Sequence, residues 1–102
     1  MQIYTLKNRQ FVMTEIEDTV EAMQKFVDGG IETINVTDEI LLVCNEEGKM
    51  RGLPPSAFII KHQQMQDIIV GKFFLCREDG ENMVSIQETD IAEFKRIILP
   101  IM

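Results

Sequence analysis

The sequence predicts an α+β fold, with two helices packed on a mostly antiparallel or mixed β-sheet, in one domain over residues 1–102. Two observations carry that expectation. Short β-rich segments outnumber helix-like ones, and the helix signals sit apart from the hairpins.

Taken in order, Gln2–Leu6 and Phe11–Ile16 are β-rich and flank the polar turn Lys7-Asn8-Arg9-Gln10. A helix is expected from Thr19 to about Asp28. Asp18 takes the N-cap position, and Glu21 three residues on completes a capping-box spacing that satisfies two orphan N–H groups. Val20, Met23 and Val27, with Phe26 beside them, form one apolar stripe, and Gly29-Gly30 supplies a left-handed stop.

Ile31–Val36 alternates apolar and polar side chains and reads as a half-buried strand. Ile40–Cys44 is apolar on both faces, the pattern of a central strand. Asn45-Glu46-Glu47-Gly48 then reads as a turn, with Lys49–Leu53 as the return strand of that hairpin. Pro54-Pro55 ends it, because proline has no N–H to donate to a ladder. Ser56–Gln66 leaves helix and loop both open: Ala57-Phe58-Ile59-Ile60 is apolar, and Lys61-His62-Gln63-Gln64 is polar. Ile68–Cys76 reads as one long strand, interrupted only at Gly71 and Lys72. The Asp79-Gly80 signal marks a turn into a short strand over Met83–Ile86. Ser85 with Glu88, or Thr89 alone, caps a second helix to about Leu99. Ile91, Phe94 and Ile98 form its buried face, and Pro100 ends it.

At 102 residues, size scaling buries about 65% of the unfolded surface, enough for one modest core but not for a separate catalytic domain. A composition of 45% hydrophobic and 26% charged residues excludes disorder. Seventeen acidic against ten basic residues give a net charge of −7, which repels a phosphate backbone, so direct nucleic-acid binding is not expected. An acidic DNA mimic needs dense carboxylates along one long face, and the interspersed basic residues make this sequence thin for that role. The longest apolar run, Ile40–Cys44, is far short of the ~20 residues of a membrane span. With no signal-peptide pattern either, a cytoplasmic protein without a membrane partner is expected. Cys44 and Cys76 each sit in an apolar run and read as reduced, buried thiols.

No pattern in the chain requires catalysis. His62 is the only histidine and has no Cys, Asp or Glu at ligand spacing, so neither a metal nor another cofactor is expected. Apolar surroundings disfavour a thiolate at either cysteine. Glu15, Glu17, Asp18 and Glu21 gather where a helix N-terminus favours negative charge, which explains them structurally. Gly48-Lys49 lacks the earlier glycine and the following Ser or Thr of a phosphate loop. The stretch from Lys49 to Gln66 is the candidate contact surface. Met50, Arg51, Pro54, Pro55, Phe58, Lys61 and His62 there include the Arg, Met and aromatic types that anchor protein interfaces. Phe58, Ile59 and Ile60 read equally well as core.

The stretch Leu42-Val43-Cys44-Asn45-Glu46-Glu47-Gly48-Lys49-Met50-Arg51-Gly52-Leu53-Pro54, followed by Asp67-Ile68-Ile69-Val70-Gly71-Lys72-Phe73-Phe74, resembles a family of small bacterial and phage proteins known only as a domain of unknown function. The likeness covers nearly the whole chain after residue 12, and N-E-x-G-K-x-x-G-L-P is its most specific element. Members commonly carry an Asn-Arg pair just after Leu-Pro. Ser56-Ala57 stand near those places here, so an activity resting on that pair is not carried over. The resemblance implies a setting on phages and mobile DNA, where small acidic proteins often bind and block a larger protein. The expected function is therefore a non-catalytic protein-binding module that inhibits or modulates a larger host or defence protein, of the restriction or CRISPR type. The alternative is a small-metabolite or nucleotide module that uses the strand-end loops.

Overall fold

The computed structural model describes residues 1–101. The chain runs β1 (Gln2–Lys7), β2 (Gln10–Glu15), α1 (Val20–Val27), β3 (Ile31–Asn35), β4 (Ile40–Asn45), β5 (Pro55–Lys61), β6 (Gln64–Val70), β7 (Phe73–Asp79) and β8 (Asn82–Val84). A 3₁₀ turn at Glu88–Asp90 then leads into a single helical turn, α2 (Ile91–Phe94), and into β9 (Ile98–Pro100). The first sheet has the order β2-β1-β7-β4-β3, with β8 continuing beside the end of β7. The second has the order β6-β5-β9. Every pairing is antiparallel. The Cα radius of gyration is 12.5 Å, close to the ~13 Å of one compact domain of this length. The class is α+β, as expected, with two short helices.

Two buried clusters lie on opposite faces of β4 and β7. On one face Ile3, Leu41, Val43, Phe74 and Cys76 meet Met23 and Val27 of α1. On the other, Tyr4, Leu42, Cys44, Phe73 and Leu75 meet Ala57, Ile59, Ile69 and Ile98 of the second sheet, together with Phe94. Every residue of β4 is buried, which explains an apolar run with no alternation. Phe94 is fully buried, with Tyr4 and Phe11 edge-on to its ring at centroid distances of 5.3 and 4.8 Å.

Five expectations are corrected. Lys49–Leu53 is not a return strand but a series of turns, closed by Arg51 N–H to the Glu47 carbonyl and Leu53 N–H to the Gly48 carbonyl. The reason is topological: β3 and β7 already occupy both edges of β4. Ile68–Cys76 is two strands in different sheets, because Gly71 at φ 75° turns the chain and donates its N–H to the Pro54 carbonyl. The second helix stops after Phe94, and Ile98–Pro100 pairs with β5 instead of continuing it. Burying Ile98 against the core and filling the β5 edge outweigh the helical spacing. Finally, the N-cap of α1 is Thr19, not Asp18: Thr19 Oγ1 accepts from Ala22 N–H at 3.1 Å. The left-handed stop falls on Asp28 at φ 62°, ahead of the glycines.

Candidate functional site

The most distinctive stretch of the sequence folds into a clasp on the C-terminus of α1. Buried Asn45, the last residue of β4, donates its amide to the carbonyls of Val27 and Asp28, each at 3.0 Å. Its Oδ1 accepts from Glu47 N–H at 2.7 Å, which fixes the start of the turn. Arg51 donates to the Asp28 carbonyl at 2.7 Å and pairs with the Asp28 carboxylate at 3.2 Å. Helices end with unsatisfied carbonyls, and cations near that end are favoured, so both side chains meet a need created by α1. A Cβ at Gly29 would lie 2.7 Å from Asn45 Nδ2; the close approach requires a glycine there. Lys49 ties the far side of the loop to Asp67 of β6 at 2.7 Å. Asn45, Lys49 and Arg51 are thus structural fasteners.

The seven nominated contact residues do not gather into one surface. Met50 is 88% exposed at the loop crest. Arg51 is committed to Asp28, and Pro54 lines a cavity described below. Pro55 opens β5, and Lys61 closes it, donating to the Asn35 carbonyl at 3.4 Å. Six steps of about 3.3 Å place those two ends roughly 20 Å apart. His62 lies beyond, with Gln63 in the two-residue turn between β5 and β6, and both have positive φ. The strands β5 and β6 thus resolve the stretch that left helix and loop open.

Phe58 does join a surface, one that the sequence reading missed. Its register places it directly between Ile68 on β6 and Leu99 on β9, and Ile60 pairs with Met65 beside them. Directly paired residues project from the same face. That face is opposite the one carrying the buried residues Ala57 and Ile59, so it points away from the core. Met65, Ile68 and Leu99 are 55%, 37% and 52% exposed, and Phe58 and Ile60 are half-buried. Met50 and Ile68 line one shallow groove, which extends the row toward the loop. A sheet with one solvated face ordinarily alternates apolar and polar residues. The unbroken run Ala57-Phe58-Ile59-Ile60 was the signal available in the sequence.

A separate cavity of about 460 Å³ opens between the C-terminus of α1, the β1–β2 turn and the start of β7. Leu6, Val27, Leu53, Pro54 and Phe73 give it an apolar wall, and Asn8, Asp28 and Lys72 carry its polar groups.

Residues 1–98 match the family described as a domain of unknown function, DUF3846. The chain belongs to that family. No curated protein and no solved structure gives a match. In this member of the family the match reaches to residue 1, beyond the stretch after residue 12 that carried the resemblance.

The remaining reactive groups have structural surroundings. Cys44 and Cys76 are buried and carry no disulfide, and burial pushes their thiols up to about 11 and about 12 respectively. Arg77 bridges Glu39 and the buried Asp90, with 2.6 Å to the latter. Asp90 also accepts the Gln87 N–H at 2.9 Å, which starts the helical turn before α2. Among the described residues, no group of three or more His, Cys, Asp and Glu is placed to hold a metal ion.

Proposed function

We propose that this protein is a non-catalytic protein-binding module, and that its contact surface is the outer face of the second sheet: Phe58, Ile60, Met65, Ile68 and Leu99, with Met50 at the border. One observation carries this reading. A three-stranded sheet presents a contiguous apolar row on the face turned away from its core, and such patches mark interaction sites in folded proteins. Met and aromatic side chains supply adaptable area and an anchor. The occupant is a larger protein with an apolar patch inside a basic rim. Charge selects it over a second copy: the chain carries −7, so two copies face to face repel, whereas a basic rim is attracted. Inhibition or modulation of a host or defence protein by a mobile-element product is the role that the family resemblance suggests for such a module. Raised thiol pKa values and a lone histidine at a hairpin tip support the absence of catalysis.

The test is a Phe58→Ser and Leu99→Ser double variant. It should keep its fold by circular dichroism and lose a partner that the unaltered protein retains through gel filtration and that mass spectrometry identifies. Retention of that partner by the folded double variant overturns the reading. Sedimentation equilibrium covers the other occupant: a dimer that the double variant abolishes would assign the face to self-association.

A further inference from the structure

The cavity beside the clasp has the makings of a ligand site, and its chemistry is distinct from that of the outer sheet face. Its volume of about 460 Å³ lies within the roughly 300–1,000 Å³ of small-molecule pockets. Two hydroxyl-bearing residues line it, but both hydroxyls are turned into the protein. Thr5 Oγ1 donates to the Phe73 carbonyl at 2.8 Å, and Ser56 Oγ lies 2.7 Å from the Gly71 carbonyl. What remains for a guest is the apolar wall of Leu6, Val27, Leu53 and Phe73.

The charges at the cavity are unequal. Asp28 is already neutralised by Arg51, at 3.2 Å. Lys72 makes no ion pair among the described residues; its ammonium rests 4.9 Å from the centre of the Phe26 ring. A lysine head on a flexible four-carbon stem can turn from that ring to a guest at the cavity mouth. In a protein of net charge −7, an uncompensated cation beside an apolar cavity is a local reversal of sign.

We propose that this cavity binds a small organic anion, a carboxylate with an apolar aromatic or aliphatic body, with the body against Leu6, Leu53 and Phe73 and the carboxylate on Lys72. The probe is 4-phenylbutyrate, and its uncharged amide serves as the control. Titration followed by ¹H–¹⁵N NMR should give saturable shifts centred on Leu6, Leu53 and Lys72. One ion pair near the surface is worth up to about fivefold in affinity. The amide should therefore bind about fivefold more weakly than the acid, and Lys72→Gln should weaken the acid about fivefold while leaving the amide unchanged. Leu53→Trp, which fills the cavity, should remove binding of both. Because Leu53→Trp sits against Gly71 and risks the fold, the exposed Lys72→Gln is the variant that decides. Any of three results overturns the proposal: no saturable shifts at millimolar probe, less than threefold preference for the acid, or an unchanged affinity in folded Lys72→Gln.

Discussion

β4 and β5 are both apolar on both faces, yet the fold uses them differently. β4 lies between β3 and β7, with the α1 cluster on one side and the second sheet on the other, and none of its six residues is exposed. β5 is also a central strand, between β6 and β9, but only its Ala57–Ile59 face meets the core. The Phe58–Ile60 face meets no other layer. Apolar content thus reports that a strand is hydrophobic, not how many layers cover it. Where the second layer is missing, the apolar residues are free to contact a partner.

The comparison predicts opposite responses to the same kind of change. Leu42→Ala on β4 should cost about 2–5 kcal/mol in denaturant melts, because a fully buried side chain leaves a cavity. Leu99→Ser in the outer row should change stability by only about 0.5 kcal/mol while weakening partner binding. Equal stability losses in the two variants would show that the outer face is covered after all.

The clasp sharpens the contrast, because it joins β4 to α1 by polar rather than apolar contacts. Asn45→Ala should cost about 1–3 kcal/mol, since it strips the buried Val27 carbonyl of its donor and leaves the Asp28 carbonyl to Arg51 alone. Arg51→Ala, at a more exposed pair, should cost about 1 kcal/mol or less. Thermal melts of the two single variants check the order. Arg51→Glu would place a carboxylate beside Asp28, so a loss of partner binding in that variant does not identify a contact.

Both clusters that flank β4 contain a thiol, so alkaline pH should separate the two strands further. Each folded thiol titrates above the usual value of 9, at about 11 for Cys44 and about 12 for Cys76, because burial disfavours the thiolate. As pH rises past 9 the unfolded chain loses these protons first. The stabilisation is therefore complete below pH 9 and is lost as pH climbs toward 11–12. The slope is about 1.4 kcal/mol per pH unit for each thiol. Urea melts at pH 8 to 11 should show this fall, and a Cys44→Ala, Cys76→Ala variant should show a shallower one.

The last comparison concerns the cap of α1. Thr19→Ala should cost about 1 kcal/mol, and Asp18→Ala only a few tenths, because the hydroxyl of Thr19 holds the Ala22 N–H. The reverse order in melts would return the cap to Asp18.

What the sequence revealed was local. The stripe Met23 and Val27, the unbroken Ile40–Cys44 run and the apolar setting of both cysteines each follow from neighbours within a few residues, and each is found. What it hid was decided at a distance. Nothing near Lys49 announces that both edges of β4 are taken, and nothing near Ile98 announces a vacant β5 edge. The seven nominated contact residues are spread along β5 and its flanking turns for the same reason. Consecutive residues on a strand diverge to opposite faces and ends, whereas Phe58, Ile68 and Leu99 converge only through pairing.

The place of β1 in the first sheet has a consequence for how the chain comes to be folded. Its β2 partner follows at once, but its other neighbour is β7, with Tyr4 opposite Leu75, and Gln2 N–H reaches Ser85 Oγ across 83 residues. An isolated two-stranded hairpin is at best marginally stable in water. At synthesis rates of about 5–20 residues per second, the β1–β2 hairpin must wait roughly 3–13 s before β7 is complete. During that interval Ile3 and Tyr4 lack the β7 side chains that complete their clusters. Pairing of such large sequence separation also belongs to the millisecond-to-second class of folding, not the microsecond class.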